Sequence, residues 1–142
     1  MRTSLILLTA TRVLMPLLLL YAAFLLWRGH NAPGGGFVGG LVAASAFVLY
    51  SLTAGVQAAR RALGVEPSSL LSSGLAVALA AGVPAVLTGR PFMTALWTEI
   101  DVGAIHLTLG TPLLFDVGVF LAVMGVVLTI VFTLAETSLA ES

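Results

Sequence analysis

The chain has 142 residues, 59% of them apolar and 8% charged, with six basic and six acidic side chains in balance. Its mean hydropathy is +1.12, against the roughly 25% charged residues of a soluble domain, so the composition excludes an ordinary water-soluble fold. It also offers no basic patch for nucleic acid. With no cysteine and two histidines, it excludes disulfides, thiolate chemistry and a structural zinc site.

Four apolar stretches approach the ~20 residues that cross a ~30 Å hydrocarbon core. They run over Leu5–Trp27, Phe37–Ala58, Leu70–Leu87 and Leu113–Leu134. Lipid offers no partner for backbone polar groups, so each is expected to be a helix. The prediction is an all-α integral membrane protein with four transmembrane helices in a single domain over residues 1–142.

The first stretch begins with Arg2 like a signal peptide, but its apolar run is long, contains Arg12 and lacks a clean small-x-small cleavage site. It reads as a retained helix. Arg12 either snorkels to the near interface or lies in a protein-filled groove. Pro16 removes one backbone bond and is expected to bend the helix.

Between the first two stretches lies the most unusual run, from Arg28 through His30, Asn31, Pro33, Gly34, Gly35 and Gly36 to Phe37. Pro33 and the glycines favour a tight reversal. A hairpin alone accounts for Pro33 and one glycine. Three glycines with His30 and Asn31 suggest backbone lying against a neighbouring helix or a hydrated ion path. A phosphate-binding loop is excluded, because neither a preceding strand nor a following Lys-Ser/Thr is present.

Small residues recur at four-residue spacing on three of the helices: Gly36, Gly40 and Ala44 with Gly39 beside them, then Gly74, Ala78 and Gly82, then Gly118, Ala122 and Gly125. Such faces let helix backbones approach closely in lipid. They serve either packing within the chain or docking on other chains. Three faces in so short a protein favour docking.

The connection Thr88–Pro112 holds Arg90, Trp97, Glu99, Asp101 and His106. Trp97 reads as an interfacial anchor, and Glu99 and Asp101 alternate as strand residues do. They suit a solvated loop face better than a weak cation site, and His106 suits a polar loop position better than a proton relay. Thr111 and Pro112 are suited to open the last helix. Asp116 follows about 6–7 Å further along the axis. It either complements the helix dipole or, as a carboxylate in an apolar helix, marks an ion or proton path. Glu136 and Glu141 are assigned to an exposed tail.

Four crossings put both termini on one side, with Arg2, Arg12, Arg60 and Arg61, against Arg28 and Arg90 on the other. The positive-inside rule then makes the termini cytoplasmic. No nucleophile triad, metal-ligand spacing or buried carboxylate pair is present, so no enzyme, metal or cofactor is expected.

The run His30-Asn31-Ala32-Pro33-Gly34-Gly35-Gly36-Phe37-Val38-Gly39-Gly40-Leu41 and the run Thr111-Pro112-Leu113-Leu114-Phe115-Asp116-Val117-Gly118-Val119 resemble the MnhB or MrpB family, the B-type subunits of the Mrp-type multisubunit Na⁺/H⁺ antiporter. Helix spacing and the length of the last connection are similar as well. The resemblance implies a small accessory subunit of a hetero-oligomeric complex in the bacterial cytoplasmic membrane. That complex exchanges Na⁺ for H⁺ and supports pH homeostasis. It carries over the positions Gly29 to Gly40 and Thr111 to Gly118. A purely structural scaffold role, in this complex or in a related membrane-bound hydrogenase or respiratory-type complex, is the alternative.

Overall fold

The computed structural model describes residues 5–28, 35–83, 97–102 and 105–141, with side chains described outside 97–112 and 139–141. The helices are α1 (Leu5–Arg28), α2 (Gly35–Ala54), α3 (Val56–Leu63), α4 (Pro67–Ala80) and α5 (Thr111–Glu141). Among the described residues, four stretches are long and apolar enough to cross a membrane: Leu5–Arg28, Gly35–Ala54, Val56–Ala80 and Leu113–Ser138. The chain is thus the four-span helical membrane protein that its composition predicts.

The third of those stretches is not one continuous helix. Gly64 adopts φ 80° as the left-handed C-cap of α3, its N–H bonding back to the Arg60 carbonyl, and Pro67 then opens α4. Both positions follow from backbone chemistry, since glycine tolerates positive φ and proline suits the first turn. The 14 residues of α4 rise about 21 Å at 1.5 Å per residue, and the predicted continuation to Leu87 lies outside the described residues from 84 onward.

Two sequence assignments are corrected here. The second apolar run does not continue as one helix to Ala58, because Gly55 at φ 95° separates α2 from α3. The segment 59–69, which falls between the second and third apolar stretches, contains most of α3, a short amphipathic helix. It buries Val56 and Ala59 and exposes Gln57 and Arg61.

Part of the connection before α5 is a two-stranded antiparallel hairpin, β1 (Trp97–Val102) and β2 (Ile105–Gly110). Its register sets Glu99 opposite Thr108 and Asp101 opposite His106. Alternation along a strand puts these four positions on one face, and Thr98, Ile100, Val102, Ile105, Leu107 and Leu109 on the other.

The helices form a row rather than a closed bundle. α1 packs on α2, α2 on α5 and α5 on α4, whereas α1 meets α5 only marginally. The core lies toward the α3 end, where Phe47, Val56, Ala59, Met124, Leu128 and Phe132 cluster. Phe132 and Leu128 are fully buried.

Candidate functional site

Glycines set the spacing of this row. At Gly40, an added Cβ would lie 2.9 Å from the Phe120 carbonyl oxygen. At Gly118 it would meet the Ala78 nitrogen at 2.5 Å and the Gly74 carbonyl oxygen at 2.7 Å, and at Gly125 the Pro67 carbonyl oxygen at 2.7 Å. Real Cβ atoms do not come so close to backbone, so α4 and α5 touch main chain to main chain. Gly74 faces Gly118 and Ala122 from the other side. Gly39 turns toward α1, where an added Cβ would lie 3.0 Å from the Ala22 carbonyl oxygen, and Ala44 is fully buried.

These contacts correct the expectation that the small-residue faces dock on other chains. Gly39, Gly40, Ala44, Gly74, Gly118, Ala122 and Gly125 pack inside this one. The physical reason is reciprocity. Two small stripes on sequence-adjacent helices fit each other, and α5 carries contacts to α2 and α4 at once.

Among the sequence-predicted motif residues, Gly36 and Asp116 come together. Gly36 abuts the Asp116 main chain, where an added Cβ would meet the carbonyl oxygen and lie 3.0 Å from the carbonyl carbon and Cα. The glycine-rich turn and the first turns of α5 therefore share one end of the row. The Asp116 side chain is half-buried. Phe37, one residue on, helps line an apolar groove with Leu41, Leu71, Leu75, Ala122 and Val126. Thr111 starts α5, with Pro112 next; their side chains, like His30, Asn31, Pro33 and Gly34, lie outside the described residues.

The opposite end carries charges that the sequence assigned elsewhere. Arg60 donates from Nε to Glu136 Oε1 at 2.7 Å, and Nη1 lies 3.4 Å from Glu66 Oε2. Its guanidinium stands 5.3 Å from the Phe132 ring centroid, within reach of a cation–π attraction. Glu136 is thus not a free tail residue: α5 runs to Glu141, and Glu136 clasps α3 onto it. The signal was present in the pattern Val56, Ala59, Arg60, Leu63, one face of a helix bounded by Gly55 and Gly64. Arg12 is exposed on α1 and forms no ion pair among the described residues, whereas its neighbour Thr11 is buried and donates to the Leu7 carbonyl at 2.8 Å. No group of three or more metal-ligating side chains occurs among the described residues.

A row of four apolar spans with glycine-set spacing defines a small polytopic membrane protein. Residues 6–129 match the family described as a domain related to the MnhB subunit of Na⁺/H⁺ antiporter, and the chain belongs to that family. It is 39% identical to the Na(+)/H(+) antiporter B subunit of Bacillus subtilis over 134 residues, covering 94% of each chain. With the protein of the same name from Alkalihalophilus pseudofirmus it shares 36% identity over 129 residues, 90% of each chain. A solved structure of the Mrp complex from Dietzia sp. DQ12-45-1b contains a similar chain, at TM-score 0.74 and 36% identity. The match covers 92% of this chain and 14% of that one, so here the chain spans a small part of a much longer polypeptide.

Proposed function

We propose that this protein is a single-domain, accessory, non-enzymatic subunit of a multisubunit monovalent cation/proton antiporter in a bacterial cytoplasmic membrane. The observation that carries this is near-full-length likeness, 36–39% identical, to two proteins named as B subunits of Na⁺/H⁺ antiporters. Its partners are the other subunits and the bilayer, and the ions moved by the whole complex are Na⁺ and H⁺. Both termini are cytoplasmic in this reading.

Within that role, Asp116 and the Gly35–Phe37 segment border the cation route at an interface with a neighbouring subunit. What supports it is a half-buried carboxylate in an apolar helix whose own main chain is met by Gly36. Asp116→Asn should depress Na⁺-dependent proton flux several-fold in vesicles carrying the whole complex, with subunit co-purification unchanged on the same sample. Wild-type flux in an intact variant complex would sink the route assignment. It would favour a scaffold role instead, for which the close packing of Gly40, Gly74, Gly118 and Gly125 against main chain and side chains of neighbouring helices is the supporting observation.

A further inference from the structure

α3 and the turn into α4 border an open surface hollow of about 550 Å³ lined by Gln57, Arg60, Arg61, Gly64, Val65 and Glu66. It sits where α2 ends and α4 begins, beside the C-terminal part of α5 that Glu136 marks. Four spans in sequence put this end of the row on the side of both termini.

Charge within the hollow is unevenly spent. Arg60 is taken up by Glu136 and Glu66. Arg61 is exposed and forms no ion pair among the described residues. The Gln57 amide stands one helical turn away on the same side of α3. Next to these polar groups Val65 leaves half its surface exposed. A cation and an amide beside an exposed apolar tip, on a short amphipathic helix at the end of two spans, match a lipid rather than a soluble anion. A phosphodiester meets Arg61 while acyl chains meet Val65.

The geometry points to this hollow as a headgroup site for an anionic phospholipid of the leaflet on the side of the termini, with Arg61 as its phosphate-binding residue. Glu66 also lines the hollow and would repel the phosphate, but Arg60 holds that carboxylate at 3.4 Å. The lipid thereby tethers α3 in the plane of the interface. This assignment rests on membership of a membrane complex and not on the ion route, so the two stand or fall separately.

The test uses the purified whole complex in nanodiscs of phosphatidylcholine doped with photoactivatable phosphatidylglycerol, with adducts mapped by mass spectrometry. Wild type should carry an adduct on the segment from Gln57 to Glu66. Arg61→Gln should lower its yield about fivefold, the worth of one basic side chain at a membrane surface, and Arg61→Lys should retain most of it. An equal adduct from photoactivatable phosphatidylcholine would overturn the site, as would an unchanged yield in Arg61→Gln. Loss of the adduct to millimolar inorganic phosphate would overturn the lipid as its occupant. The headgroup and phosphate comparisons need no substitution, so they decide the matter even if the glutamine variant assembles poorly.

Discussion

α1 and α5 are both long and apolar, yet they are packed in opposite ways. Over its 24 residues α1 buries only Thr11 and Ala22, and it leaves Leu17, Leu20, Tyr21 and Phe24 more than half exposed. α5 buries Met124, Leu128 and Phe132 and brings Gly118 and Gly125 against the backbone of α4. Hydropathy does not distinguish them, because a lipid tail is as good a neighbour for leucine as another leucine is. What separates the two is the small-residue stripe: α5 has one and α1 has none. In the bilayer, packing follows where side chains are missing rather than where they are greasy.

The contrast can be broken most severely on α5. Gly118→Leu drives a side chain into the main chain of Gly74 and Ala78 and should cost about 3 kcal/mol or more. The expected outcome is loss of α4–α5 packing and of recovery with partner subunits; normal co-purification and thermal stability would mean that the contact is not as close as described. A smaller effect is expected where α5 is held by charge. Arg60→Ala removes an ion pair that is a quarter exposed on the arginine side and more open on the glutamate side, and should cost about 1 kcal/mol. Faster proteolysis near Gly64 with an otherwise intact complex is the expected readout. The smallest effect belongs to α1, where Leu20→Ala should change stability by less than about 0.5 kcal/mol. A large loss there would show that the outer face of α1 is covered by another protein chain rather than by lipid.

The spans were legible because nothing else explains such apolar runs in so lightly charged a chain. Their ends were less so. Gly55 sits inside the stretch Phe37–Ala58 without a charge on either side, and hydropathy gives no warning that the backbone turns there. Arg60 and Arg61 made α3 look like a polar connection, whereas one face of that helix belongs to the core. Glu136 looked like tail for a similar reason, since its partner is 76 residues earlier in the chain. The glycine stripes were visible as packing devices, but not their partners, because spacing on one helix does not say which helix supplies the matching stripe. The juxtaposition of Gly36 with Asp116 was foreshadowed only in that both motifs fall at the same end of the row.

A closed bundle has no sides left over, whereas among the described residues this row ends in two open flanks, α1 and α4. Such a piece behaves like a plank in a hull, able to be joined at either long edge without disturbing its own grain. That property suits one design to service both as a separate small protein and as a stretch inside a far longer polypeptide, as the match covering 14% of the Dietzia chain illustrates.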